Sequence, residues 1–202
     1  MKRKAARAES RRQKPVEQSL FVASYPVHET LITETLFEIG QGTVIFSRML
    51  PDGNIALSLF LVDVFCLGVK DADYKIISMQ TYHDFLARTE QHGRLVEIEP
   101  ECLVKLVFES VDYAMSFGFS PHKDYRKAKT LFGAITGDGC ERTFEFGKDG
   151  KPFYIAGPYD TPAKTAQIMG HLERAVGPDG FLSMHPIGGT DLNEDDFDIS
   201  GV

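Results

Sequence analysis

The longest apolar stretch of the chain runs from Ile55 to Val64, where nine of ten residues are Ile, Ala, Leu, Ser, Phe or Val and only Asp63 is charged. Such a run has no clean period of two, which suits a strand covered on both faces. It is too short for a membrane span, which needs about 20 residues with few charges. Pro51-Asp52-Gly53 stands just before it. Asp-Gly between two apolar runs marks a tight turn, because glycine adopts positive φ at little cost. The pattern predicts an antiparallel hairpin of Gly42–Leu50 with Asn54–Phe65. Gly68 then reads as a strand end or bend, and Lys70-Asp71 as the return to water.

On either side the pattern changes period. Gln18–Val27 reads as a strand ended near Pro26. Thr30–Ile39 fits a helical face through Leu31, Ile32, Leu36 and Ile39, while its Thr and Ile equally favour a strand. Tyr74–Ile77 is a short extended piece. Ser78 can cap a helix reaching about Gln91, with Tyr82, Phe85, Leu86 and Thr89 on one face. Leu95–Ile98 is a connector. Pro100 suits a helix start, and Leu103, Leu106, Val107, Val111, Ala114 and Met115 recur at helical spacing up to Gly118. Ser120 as cap and Pro121 at the first position predict another helix to about Phe132. Arg142–Gly147 and Lys151–Ala156 read as a second hairpin about Lys148-Asp149-Gly150, with Phe144, Phe146, Phe153 and Ile155 alternating. Thr161-Pro162 opens a last helix that buries Ile168, Met169, Leu172 and Val176 and ends at Gly177.

Two hairpins, an extra strand and about four helices without strict βα alternation predict a single α+β domain. Its expected limits are residues 16–178. A basic arm precedes it at 1–15 and a Gly-rich acidic tail follows at 179–202, both read as unpacked. Residues 1–14 carry seven Lys or Arg and one Glu, a charge of +6, whereas 190–202 carry five acids and no base. With a net charge of −7 overall, the body holds −8. Blocks of this kind are usually solvated tails.

Three cysteines at 66, 102 and 140 are odd in number, far apart and without a CxxC. That argues against a disulfide framework and a zinc site, and for a reducing compartment. The charged N-terminus has no apolar segment of the secretory kind, so a cytoplasmic protein without a membrane partner is expected. The segments LFLVDVFCLGVKDA and GFSPHKDYRKAK resemble a family of uncharacterised bacterial proteins. The resemblance covers about two-thirds of the chain. It implies a bacterial cytoplasmic origin and no activity.

None of GxGxxG, a P-loop, HExxH, GxSxG or an EF-hand loop is present, which lowers the case for the enzyme classes that carry them. No cofactor is called for. Asp63 needs a partner, because an unpaired buried carboxylate costs several kcal/mol. It serves either a site or a structural contact with a Lys, an Arg or backbone N–H groups at the sheet end.

Two constellations remain. The first is basic: Lys123, Arg126, Lys127 and Lys129 on the expected helix, with Lys2, Arg3, Lys4, Arg7, Arg11 and Arg12 of the arm. Such groups contact phosphates, where affinity comes mainly from charge. Tyr125 either stacks on a base or packs on the core, and a merely solvated basic face is the plainer alternative.

The second is Cys66, His122 and Asp124, the residue types of a cysteine nucleophile, its base and an orienting group, with Asp63 as another orienter. Set against it, Cys66 reads as a small buried hydrophobe, and Asp124 as a complement to a helix dipole. Cys66, Cys102 and His122 match no zinc spacing, so no metal is expected. The leading expectation is a non-enzymatic binding or accessory protein that meets nucleic acid, RNA or a ribonucleoprotein, through arm and basic helix. The alternatives are a cysteine-dependent hydrolase or transferase using Cys66 and His122, and a protein–protein adaptor acting through its tails.

Overall fold

At the Asp52-Gly53 turn the chain does what its residues predict. Gly53 takes φ +79°, and the Asp52 carboxylate accepts from the Asn54 N–H at 3.0 Å. In the computed structural model, which describes residues 22–184, this turn joins β2 (Gln41–Met49) to β3 (Asn54–Asp63). The register sets Val44 against Phe60 and Arg48 against Ala56. With β1 (Val27–Thr33), β4 (Gly68–Ser78) and β5 (Leu95–Glu97) they form one antiparallel sheet in the order β4-β3-β2-β1-β5. Five helices lie wholly within the described residues: α1 (Leu36–Ile39), α2 (Met79–Glu90), α3 (Pro100–Ser116), α4 (Tyr125–Ala128) and α5 (Pro162–Val176). The class is α+β, as the pattern predicts.

The central strand is largely apolar because both faces are covered. Ala56, Phe60 and Val62 face α3, α4 and the 3-10 turn Lys129–Phe132, meeting Leu103, Leu106, Val107, Leu131 and Phe132. Ile55, Leu57 and Leu59 face the other way, toward Tyr82, Phe85 and Leu86 of α2. Ser78 caps α2 by accepting from the Thr81 N–H at 3.1 Å, as expected.

Several expectations are corrected. β4 begins at Gly68 and runs for 11 residues, so Gly68 opens a strand. The glycine has φ +65°, and a Cβ there would lie 2.7 Å from Ala114 Cβ and from the Ser110 carbonyl oxygen. Leu95–Glu97 is an edge strand on β1. The strand read over Gln18–Val27 starts only at Val27, and Gln18–Phe21 lie outside the described residues. Thr30–Ile39 divides into the end of β1 and the short helix α1. Met115, read as core, is 57% exposed, and Val176 is 37% exposed.

The expected helix Pro121–Phe132 is a four-residue helix followed by a 3-10 turn. Sheet contacts override its capping signal. The His122 N–H donates to the Val69 carbonyl at 3.0 Å, which fixes Ser120–His122 along β4. Ser58 Oγ donates to the Ala128 carbonyl at 2.7 Å. Arg48 donates to the carbonyls of Leu131 at 2.7 Å and Phe132 at 2.8 Å, and also to that of Tyr25. Both ends of the basic segment are thus pinned to the sheet.

The second hairpin is corrected too. β6 (Phe153–Ile155) pairs in parallel with β7 (Leu182–Met184), and only Lys148 and Lys151 form a bridge across the intended turn. β7 therefore lies beyond the boundary expected at residue 178. β6 and α5 pack Tyr154, Ile168 and Leu172 against Cys66 and Phe117. Asp160 accepts from the Tyr154 hydroxyl and the Gly157 N–H at 2.9 Å each and pairs with Lys164 at 2.6 Å. Desolvation raises its pKa, but these donors outweigh it and hold the carboxyl at about 2.

Cys102 and Cys140 are joined in a disulfide across 38 residues. An odd and widely spaced set of cysteines argued against one; the fold brings Cys140, just past a 3-10 turn at Gly137–Gly139, onto the first turn of α3. On the outer edge of β4, the N–H groups of Ala72 and Tyr74 donate to the carboxylates of Asp71 and Asp73 at 2.8 Å each. These contacts occupy edge groups that would otherwise invite another strand. Among the described residues no helix is long and apolar enough to cross a membrane.

Candidate nucleic-acid interface

Pinning Ser120–Phe132 to the sheet leaves a gap between that segment and α3. The gap is a cleft of about 790 Å³. One wall is α3, with Phe108, Val111, Asp112 and Met115; the other carries Pro121, His122, Lys123, Tyr125, Arg126 and Lys129. Of the four cations expected to act together, three line this cleft. Lys127 does not: its ammonium lies 5.2 Å from the Tyr74 ring centre on β4. Lys129 is held over two rings, 5.1 Å from Tyr125 and 5.7 Å from Phe108. Among the described residues, Lys123, Arg126 and Lys129 stand in no ion pair. Lys2, Arg3, Lys4, Arg7, Arg11 and Arg12 lie outside the described residues.

Tyr125, offered by the sequence as either a stacking or a core residue, is 6% exposed and packs on Phe60. Burial and the nearby Asp112 charge push its hydroxyl up to about 12, so it stays neutral. The apolar wall of α3 was not foreseen as part of the site. Phe108 and Val111 fall at the rim of the helical stripe that faces inward, and Met115, one turn on from Val111, is exposed while Ala114 beside it is buried.

Of the second constellation, His122 and Asp124 are neighbours, at 3.9 Å, while Cys66 is withdrawn into the core. Cys66 is fully buried in a cluster with Phe117, Tyr154, Ile168 and Leu172. Burial, and then the Asp63 charge, push its thiol well above the ordinary range. His122 instead faces Asp71 at 3.4 Å and Asp124 at 3.9 Å. Among the described residues no hydrogen bond joins it to Cys66.

Asp63 has the structural contacts that its place in an apolar run demands. Its Oδ1 accepts from the N–H groups of Phe65, Cys66 and Leu67 at 3.0, 2.9 and 3.2 Å, and Lys70 lies 3.9 Å from Oδ2. Burial pushes this carboxyl up, opposed by those donors and by Lys70. The carboxylate shapes the β3–β4 connection.

Native-state alkylation checks the thiol. Under non-reducing conditions Cys66 should react at least about 100-fold slower than in the unfolded chain, because only the exposed thiolate reacts. Fast modification at neutral pH, slowed by His122→Ala, would restore the nucleophile.

Among the described residues no group of three or more His, Cys, Asp or Glu is placed to hold a metal ion. No family model matches the chain, and neither the curated proteins nor the solved structures contain a match to it.

Proposed function

We propose that the protein is a non-enzymatic binding or accessory protein that contacts nucleic acid, as RNA or as part of a ribonucleoprotein. The observation that carries this reading is the cleft between α3 and Ser120–Lys129, lined by Lys123, Arg126 and Lys129, which stand in no ion pair among the described residues, beside a largely apolar wall that also carries Asp112. Neutral pairs on a surface are common and carry little. An excess of cations over carboxylates on a concave surface creates a field that attracts a polyanion. The arm at residues 1–14, at +6, adds sequence-independent attraction of the same sign. The acidic body works against it, so contact is confined to the cleft and arm.

Salt dependence measures the contact. Each phosphate neutralised on a single strand contributes about −0.7 to the slope of log affinity against log salt. The three cleft cations therefore give a slope of about −2, and the arm steepens it. Fluorescence anisotropy of the full chain should show binding at low salt that weakens in this way. Removal of residues 1–14 should weaken affinity and return the slope toward −2, a value set by about three contacts. No binding by the intact chain at low salt would overturn the reading.

A further inference from the structure

We infer that the cleft takes single-stranded nucleic acid, with a base against the Phe108–Met115 wall of α3 and its phosphate on Lys123 and Arg126. This rests on the nucleic-acid reading above and specifies the form of the ligand.

Three observations carry it. The first is the shape of the basic segment. Reading a duplex groove calls for a protruding helix or ribbon that enters it. Here the helical part is four residues, and Tyr125 and Ala128 on it are buried. Ser58 and Arg48 hold it and the turn after it onto the sheet. The surface offered is concave, and a duplex backbone is convex on the scale of such a cleft.

The second observation is the mixed chemistry of the walls. A phosphate needs only the cations. Phe108, Val111, Met115 and Pro121 supply apolar surface opposite and beside them. Met115 is 57% exposed on the stripe that carries half-buried Phe108 and buried Val111, which leaves its side chain open to a ligand in the cleft. A ligand that matches both walls has a flat apolar part and an anionic part within one small unit. A nucleotide with its base free has both; in a duplex the base faces are hidden in the stack. Single-strand binding sites combine a basic track with apolar or aromatic platforms in this way.

The third is size and polarity. A volume of about 790 Å³ falls within the roughly 300–1,000 Å³ typical of sites for compact ligands. It suits a short stretch of strand rather than an extended groove. Asp112, on the α3 wall, repels phosphate and can accept from a base N–H. That places the backbone on the Lys123–Arg126 side and the base on the α3 side.

The test uses the full chain at low salt and labelled 12-mers: a single strand, its duplex, the same strand made abasic, and polyglutamate of equal charge. The single strand should bind about tenfold or more tighter than each of the other three, the scale set by the stacking of one base. Met115→Gln changes an exposed side chain without adding charge, and its melting temperature should match the parent. It should lower single-strand affinity about tenfold and leave duplex affinity unchanged. A duplex, an abasic strand or polyglutamate that binds as tightly as the single strand overturns the inference. Equal binding of the duplex would leave the wider nucleic-acid reading in place; failure of every nucleic acid to bind overturns both.

Discussion

Arg48→Met should lower the free energy of unfolding by about 1–3 kcal/mol, the cost of leaving a buried backbone carbonyl without its donor. Arg48 is 5% exposed and lies on the covered face of β2. Its guanidinium donates to three backbone carbonyls, those of Tyr25, Leu131 and Phe132, and sits 5.2 Å from the Phe46 ring centre. Burial pushes its pKa down from the ordinary arginine value. Met keeps the apolar stem but supplies no donor. The Phe132 carbonyl also accepts from the Ile135 N–H at 3.2 Å and keeps that partner, so the cost falls on the Leu131 carbonyl, and a buried carbonyl left unmet costs about 1–3 kcal/mol.

Two of those carbonyls end the 3-10 turn that follows α4, where unsatisfied backbone oxygens accumulate. The arginine therefore serves as a cap delivered from the sheet. Arg48→Lys should not rescue most of the loss, because one ammonium cannot reproduce the planar fork. Urea unfolding followed by circular dichroism measures both variants. A loss below about 1 kcal/mol for Arg48→Met, less than one unmet carbonyl, would mean that the turn finds other donors.

The same contact explains where sequence and structure part. The β2–β3 hairpin was legible because its determinants are local: an Asp-Gly turn between apolar runs. The start of α3 at Pro100 and the Ser78 cap of α2 were legible for the same reason. β4 was read only at its end, as the extended piece Tyr74–Ile77, although Ala72 and Tyr74 alternate with Asp71, Asp73 and Lys75 from further back. Its position as an edge strand leaves one side wet, and that polarity imitates a loop. For Ser120–Phe132 the local signals were present and lost. Ser120 and Pro121 begin a helix well in isolation, but the His122 N–H goes to Val69 on β4 instead.

The second hairpin failed through its aromatics. Phe144 stacks on Phe37, Phe146 tilts against Tyr113, and Phe153 against Phe65. Their alternation served packing on the core, and the ladder of Phe153–Ile155 went to Leu182–Met184, a non-local partner with no turn signal. The candidate site was half legible for a similar reason. Its cations stand together in the sequence, while the wall opposite comes from α3 and depends on the pinned ends of the segment. Cys66 was best read from its neighbours Phe65 and Leu67, which announced burial.

Reduction of the Cys102–Cys140 bond should lower stability by about 2–4 kcal/mol, the range usual for native disulfides. The bond closes a chain segment with a sequence separation of 38 residues, for which loop entropy alone gives roughly 4 kcal/mol. Other contacts hold the same loop to α3 and temper the loss. The Lys105 ammonium donates to the carbonyls of Cys140 at 3.2 Å and Arg142 at 2.7 Å, and Arg142 pairs with Glu99 at 2.8 Å. The reduced chain should therefore keep its fold and unfold at lower urea, and Cys102→Ser with Cys140→Ser should reproduce that shift without reductant. Thiol counting on the unfolded, unreduced chain should find one thiol, that of Cys66, and three after reduction. Three thiols without reductant, together with an unchanged urea midpoint on adding it, would show the pair unbonded. In a reducing compartment the two would be held as thiols. The expectation of such a compartment rested on the count and spacing of the cysteines, and the pairing removes that ground.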